Sequence, residues 1–579
     1  MCIRLVRRAL LPLRVEAVTA FALTALAISG CDQEPTSPPR AAGSERPEGT
    51  IGLAYACGNK FLISNRNSFA VKVTWGIRGT DEQGVRLLPP VLPEDPGFTE
   101  TEVETAGGGT LDLSVQGQPL LSHSNEGRSC GSAPAAAYSG AASSSSEAGE
   151  WSAPFAMPIV AVHLHLLPNG KVLFWGHQAP QLWDPSANTF SPLPQPHLLY
   201  CSGHTFLPDG RLLVAGGHLQ NHYGLPDAQL FNYATGSWSP APPMARGRWY
   251  PTLTTLGNGW VVALAGRDQT STPVLTPELW TGSGWRKLSG ASLSLPYYPR
   301  TFLAPNGRVF YAGELQRTYY LQTSNAGSWT YLGDRRYGNR DYGSAVMYEP
   351  GKILYAGGGR TTNTAEVVDL NQAPQWQWTG SMAFARRHLN ATVLPDGTVL
   401  VTGGSSGTAI SDETQPVYPA ELWKPTTGAW TVLASNAVVR VKHSSAILLP
   451  DARVLLAGGG EYVGATDHRD GELFSPPYLF GGARPQITSA PSTVSYGQRF
   501  TVSTPDAARI GKVAWVRLGS VTHAFDQNQR YVPLVFSRTA TGVVVTPPTS
   551  RNVAPPGHYM LFVLSLEGVP SVARVQRLR

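Results

Sequence analysis

Charge is sparse in this chain: only 15% of its 579 residues are Asp, Glu, Lys or Arg, and its 45 basic and 39 acidic residues are scattered. No basic tract interleaved with aromatics is present, which removes support for nucleic-acid binding. Beyond residue 30 no apolar run is long enough to cross a bilayer. No glycine-rich nucleotide-binding motif occurs either, so a bound dinucleotide or nucleoside triphosphate is not expected. Abundance lies in turn and strand chemistry, because 61 Gly, 48 Pro, 15 Trp and 22 Tyr predict an all-β chain. The length exceeds one ordinary core and predicts several domains, or one large repeat array with accessories.

Arg4, Arg7, Arg8 and Arg14 precede an apolar run from Ala17 to Ile28, the pattern of an export signal over residues 1–30. With Glu16 they carry +3 of the formal +6, leaving a nearly balanced mature chain. Ile28-Ser29-Gly30-Cys31 resembles a bacterial lipobox, which makes Cys31 a candidate lipidated N-terminus; plain secretion is the alternative. The expected location is the cell envelope or the exterior, with membrane contact only through a lipid anchor. Residues 31–50, rich in Pro, Ser and Glu, read as a tether. Of five cysteines, Cys2 lies in the leader, while Cys57 and Cys130 bracket a small β-rich module over 51–131 and are expected to close it with a disulfide. Cys201 is left over. An Ala/Ser/Gly-rich linker covers 132–150.

From there a unit repeats seven times: an apolar strand, a Gly-containing turn, a second strand and a Gly-Gly or near equivalent. The turn positions are Gly170, Gly210, Gly259, Gly307, Gly351, Gly397 and Ala452, at steps of 40, 49, 48, 44, 46 and 55 residues. Such periods predict a seven-bladed kelch β-propeller over 151–482. Outer strands recur as Gln229-Leu230-Phe231, Glu278-Leu279-Trp280 and Glu421-Leu422-Trp423. The last copy stops at Glu472-Leu473-Phe474, and Gly149-Glu150-Trp151, ahead of the first, supplies its missing strand and closes the ring. Alternating strands over 483–579 predict a C-terminal immunoglobulin-like (E-set) β-sandwich.

Residues equally far upstream of their turns should stand at equal height around the axis. Nine residues before each turn position come Ala161, Cys201, Tyr250, Tyr298, Tyr342, His388 and His443. Thiol, phenol and imidazole are ligands for a soft or borderline transition metal such as copper. Taken singly, Tyr298, Tyr342 and His388 read as channel-lining residues and Cys201 as a buried thiol. Together they mark a candidate site.

Four segments carry a resemblance: Tyr200-Cys201-Ser202-Gly203, Arg248-Trp249-Tyr250-Pro251, Arg440-Val441-Lys442-His443-Ser444 and Val521-Thr522-His523-Ala524-Phe525-Asp526. They resemble the galactose oxidase and glyoxal oxidase family. The resemblance implies Cu(II) held by Tyr250, His443 and His523, and a protein-derived radical cofactor formed by a thioether between Cys201 and Tyr250. It implies two-electron oxidation of a primary alcohol or aldehyde, of carbohydrate or small-aldehyde class, with O2 reduced to H2O2. A monomer is expected.

Two departures stand out. Where the family places an axial tyrosine before the last-blade histidine, this chain has Lys442. That lysine could carry a solvated charge, bind copper as a neutral amine, or act as a base. Counting along the blade from Tyr250, the aromatic that covers the crosslink in galactose oxidase falls near Arg267-Asp268-Gln269, with no Trp. Lys442 also leaves open a catalytically altered or inactive propeller that binds carbohydrate or a partner at the cell surface. A zinc hydrolase using His388, His443 and His523 is a further alternative, without a carboxylate at a matched position.

Overall fold

The computed structural model describes residues 51–579 apart from 58–59, 66–69, 89–98, 107–108, 116–117, 125–143, 409–411 and 463–464. The export signal, the tether, most of the linker and the Cys57 to Cys130 pairing lie outside the described residues. Everything of length is strand, as the composition predicts. The first module packs a three-stranded sheet (Ile51–Cys57, Lys60–Asn65, Thr99–Glu104) and a four-stranded one (Gln83–Leu88, Val71–Ile77, Thr110–Val115, Gln118–Ser124). Alternation in Val71–Ile77 turns Val71, Val73, Trp75 and Ile77 into one apolar core with Phe61, Ile63, Leu111 and Leu113.

Between residues 150 and 475 seven antiparallel sheets follow one another, each with four strands of the repeat. Their first strands are His163–Leu166, Gly203–Phe206, Thr252–Thr255, Thr301–Leu303, Ser344–Glu349, Asn390–Val393 and Ser444–Leu448. All six turn glycines sit at φ between 80° and 91°, and Ala452 takes the same left-handed conformation at 69°. This is the backbone that a tight hairpin demands.

A hydrogen bond joins the head of each first strand to the next. His163 meets His204 (3.0 Å), Thr205 meets Thr255 (3.0 Å), Thr254 meets Thr301 (2.7 Å), and the Arg300 guanidinium donates to the Gly343 carbonyl (2.9 Å). The Ala391 N–H donates to Ser344 Oγ (3.2 Å), Asn390 to Ser444 Oγ (3.1 Å) and Ser445 Oγ to the Val162 carbonyl (2.7 Å), which returns to the first sheet. The last sheet is completed by Glu150–Trp151, with Trp151 opposite Phe474.

Four strand heads are also clamped from behind. Arg248 pairs with Glu278, Arg340 with Glu366, Arg386 with Glu421 and Arg440 with Glu472, all with buried side chains. Every one of these arginines gives a second hydrogen bond to a carbonyl at the end of its own second strand: Ala265, Gly357, Gly403 and Gly458.

The C-terminal domain is a seven-stranded arrangement around Trp515, Tyr559, Phe500 and Val563. From it a hairpin, Ser520–Thr522 and Phe525–Asp526, leaves the domain and adds to the first repeat sheet, pairing Thr522 with His163 and Ser520 with His165.

Removing one partner of a buried ion pair strands the other charge, so Glu421→Ala is expected to destabilise the fold by about 3–5 kcal/mol. Arg509→Ala, which breaks an exposed pair with Glu567, should cost about 1 kcal/mol or less. Denaturant unfolding of both variants checks this. Equal losses would contradict the clamp.

Candidate metal centre

Six of the seven residues at the predicted slot share one backbone conformation. Cys201, Tyr250, Tyr298, Tyr342, His388 and His443 have φ of 61°, 65°, 44°, 53°, 58° and 67°. This left-handed region is costly for residues with a side chain. Ala161, at the seventh position, does not share it. Backbone bonds run from one slot to another: the Tyr250 N–H donates to the Cys201 carbonyl (2.9 Å), Tyr298 to Tyr250 (2.9 Å) and His388 to Tyr342 (2.8 Å).

His523 arrives from the C-terminal hairpin. It forms with Ala524 a two-residue turn, both left-handed at 47° and 62°, as a type I′ connection requires. Asp526 holds the base of the hairpin by accepting the N–H groups of Ser520, Asn528 and Gln529 at 2.8–2.9 Å. Arg300 donates to the His523 carbonyl (3.1 Å) and Ser344 Oγ to that of Ala524 (2.6 Å), which ties the tip to two further sheets.

Three donor atoms converge. Tyr250 Oη lies 2.9 Å from His523 Nε2 and 3.4 Å from His443 Nε2. The opposite ring nitrogens are committed, His443 Nδ1 to the Gly460 carbonyl (2.6 Å) and His523 Nδ1 to Thr522 Oγ1 (2.7 Å). His443 therefore carries its proton on Nδ1 and turns the Nε2 lone pair toward the phenol. Burial holds both imidazoles well below the usual range, and Lys442 adds to this at His443. Burial also pushes the Tyr250 phenol up, with Cys201 the next cause. A divalent cation would reverse that preference. Two neutral imidazoles and a phenol at these separations suit Cu(II).

Cys201 is a free, fully buried thiol, pushed up by burial, and the neighbouring Tyr250 and Trp249 side chains act in the opposite direction. Beneath it runs a histidine chain unremarked in the sequence. The Cys201 N–H donates to His163 Nε2 (3.3 Å), so His163 Nδ1 carries the proton and donates to His204 Nε2 (3.0 Å). His204 Nδ1 then donates to Ser520 Oγ (2.7 Å), which lies 2.9 Å from His165 Nδ1. One backbone amide assigns the tautomers of His163 and His204. Burial holds all three rings below the ordinary imidazole range.

Arg267-Asp268-Gln269 holds no Trp, and an aromatic covers the phenol from a different place, the residue just before it. Trp249 stacks on the Tyr250 ring at 3.8 Å and 11°, and its indole N–H donates to His218 Nδ1 (3.1 Å). Other slot residues are engaged differently. The Tyr298 hydroxyl donates to the Ser202 carbonyl (3.0 Å), and the Tyr342 ring lies 4.3 Å from His388. Tyr200, quoted only as part of a segment, brings its hydroxyl within 3.3 and 3.4 Å of the His443 nitrogens and donates to the Glu461 carbonyl (3.1 Å). Among the described residues no three His, Cys, Asp or Glu side chains are grouped to hold a metal, so a three-histidine zinc set is not assembled. A cavity of about 670 Å³ opens over Tyr250 and His443, with Lys442, Trp249, Tyr342 and Tyr462 among its walls. The Lys442 ammonium lies 5.1 Å from the centre of the Tyr462 ring, a cation–π contact.

Residues 484–578 match the galactose oxidase-like early set domain, and 358–469 the glyoxal oxidase N-terminal family. A galactose oxidase of Gibberella zeae is 29% identical over 486 residues, covering 74% of this chain and 70% of that one. The aldehyde oxidase GLOX of Vitis pseudoreticulata is 30% identical over 456 residues, covering 68% and 84%. A fungal alcohol oxidase solved in complex with copper superposes with a TM-score of 0.69 at 27% identity, covering 75% of this chain and all of that one.

Arg300, which grips the His523 carbonyl, pairs with buried Glu314 (3.1 Å), whose carboxyl burial pushes up to about 7. Asp526 is likewise raised by burial, to about 6. Between their ordinary carboxylate values and these, the two carboxyls hold protons in the folded chain that the unfolded chain has released, so their contribution to stability falls as pH rises through that window, opposing that of the buried histidines. Glu314→Gln stays neutral and should remove part of that slope, leaving the share due to Asp526. Melting temperatures from about pH 5 to 8 test it, and an unchanged slope would count against the linkage.

Proposed function

The chain belongs to the galactose oxidase and glyoxal oxidase family, and on that premise we propose that it is a copper radical oxidase. It would oxidise a primary alcohol or aldehyde, of carbohydrate or small-aldehyde class, by two electrons while O2 becomes H2O2. The observation that carries this reading is the convergence of Tyr250 Oη with two buried, neutral imidazole Nε2 atoms at 2.9 and 3.4 Å. Copper(II) would supply one one-electron acceptor, and Tyr250 joined through a thioether to Cys201 the other.

The protein's own residues do the rest. Tyr250, His443 and His523 would hold the metal. The clamp from Arg440 to Glu472 and the hairpin around Asp526 keep the two imidazoles in place without demand for movement at the moment of reaction. Trp249 lies flat on Tyr250, shields the phenol from water, and spreads an oxidised ring's charge over a second π-system. The seven sheets and the hydrogen bonds linking their first strands support a seven-bladed kelch propeller as the scaffold, with the C-terminal domain plugging its axis through His523.

Lys442 stands where the family places a tyrosine before the last-blade histidine. Its place over Tyr462, on the wall of the cavity, favours a standing positive charge over an amine ligand or a base. The reaction would then proceed without a phenol at position 442 to receive the substrate's hydroxyl proton. We further infer an exported monomer, secreted or anchored through Cys31.

Copper-loaded protein should release peroxide with members of a panel of primary alcohols and aldehydes. Tyr250→Phe should lower the rate by about a hundredfold or more. Lys442→Tyr should raise turnover above that of the parent protein. Absence of peroxide from copper-replete parent protein and the Lys442→Tyr variant alike would refute the oxidase.

A further inference from the structure

Resting on the reading of Tyr250 as the organic half of a copper radical centre, we propose that His218 is a positioning residue that holds the Trp249 indole on Tyr250 and makes the stacked pair easier to oxidise. A hairpin peculiar to the second repeat sheet presents it. His218–Gln220 pairs with Tyr223–Gly224 between the second and third strands of that sheet, Leu212–Ala215 and Ala228–Asn232. Among the described residues no other repeat sheet carries such a two-stranded insertion. The hairpin is fitted to Trp249. Gly224, opposite His218, lies against the backbone of residues 248 and 249, where a Cβ would collide with the Trp249 nitrogen. His218 is fixed at its own end, its N–H donating to the Leu198 carbonyl (3.3 Å).

The indole is gripped from several sides and only 5% exposed. Tyr250 lies on its face, Tyr297 meets it edge-on at 4.9 Å and 87°, and the His222 ring stands 4.8 Å away. Its one polar atom is a donor without acceptor capacity, and it goes to His218 Nδ1 at 3.1 Å. That bond sets the rotation of the indole in its own plane and fixes the His218 tautomer, with the lone pair on Nδ1 and the proton on Nε2. Burial, then His177, brings His218 down to about 4, so the lone pair is kept at neutral pH. When one electron leaves the stacked rings they gain one positive charge, and the share that falls on the indole makes its N–H a stronger donor. A hydrogen bond with an ionised partner is roughly twice as strong as a neutral one, so the acceptor stabilises the oxidised pair more than the reduced pair. No bond is made or broken in this step. The proton stays on Trp249 Nε1, and the electron passes to an external one-electron acceptor, ferricyanide in the test.

Redox titration of copper-loaded protein against ferricyanide and ferrocyanide, followed by visible absorption, reads the one-electron couple. His218→Leu should make the oxidised form about tenfold less favourable, a rise of about 59 mV. His218→Asn, whose Oδ1 stands where Nδ1 did, should recover most of that loss. In a Trp249→Phe background, which keeps a ring and lacks the N–H, His218→Leu should have no further effect; a residue that only supports the hairpin would shift the couple in both backgrounds. His218→Phe, also without an acceptor, takes the place of His218→Leu if the latter does not fold. In copper-free protein labelled at tryptophan nitrogen, the indole proton resonance assigned by its loss in Trp249→Phe should move upfield in His218→Leu. A couple unchanged in His218→Leu, or shifted equally with and without the Trp249 N–H, overturns the assignment and leaves the oxidase intact. A copper-loaded parent protein with no one-electron couple removes the oxidase, and this inference with it.

Discussion

The site depends on a left-handed backbone at the heads of six inner strands. At Cys201, Tyr250, Tyr298, Tyr342, His388 and His443 glycine would relieve the strain, yet each position carries a large or reactive side chain. Six such residues at about 1–2 kcal/mol apiece represent strain that the rest of the fold must offset. Buried Arg–Glu clamps lie immediately upstream, with Arg248, Arg340 and Arg386 each two residues before a slot residue. The N–H to carbonyl links between neighbouring slots make the conformations mutually supporting. Strain concentrated at one ring of positions is the signature of a functional site built into a repeat.

The repeat alone does not complete the centre. His523 comes from a domain with its own core and reaches Tyr250 only because a hairpin joins the first repeat sheet edge to edge. Residues 527–530 then wedge among the inner strands: Gln527 accepts from the Leu253 N–H (2.9 Å), Gln529 from Val393 (2.9 Å), and Arg530 donates to the Leu303 carbonyl (2.7 Å). Ser520 within the hairpin links His204 and His165 and so steadies the histidine chain under Cys201. Thiol, phenol and both imidazoles are thus parts of one hydrogen-bonded body.

Much of this is legible in the sequence where the determinants are local. Turn glycines recur at a blade-length period, and a constant spacing places the same slot nine residues upstream of each turn position, so Cys201, Tyr250 and His443 are found by counting. His523 is not countable, because it lies outside the repeat and its strand pairing spans most of the chain; only the resemblance singles it out. Trp249 escaped because alternation along a strand sends neighbouring side chains to opposite faces. The positive φ at Tyr250 breaks that alternation and lets adjacent rings stack. The clamps escaped as well: Glu278, Glu421 and Glu472 sit in apolar outer-strand motifs, and nothing local marks their arginine partners about thirty residues away.

The central claim is that Cys201 and Tyr250 form one redox cofactor beside a copper held by His443 and His523. Mass spectrometry of proteolysed protein after aerobic copper loading tests it most directly. The account predicts that the peptides containing Cys201 and Tyr250 travel as one species, lighter by two hydrogens than their sum, and that Cys201→Ser abolishes it. Separate, unmodified peptides from fully copper-loaded protein would contradict it.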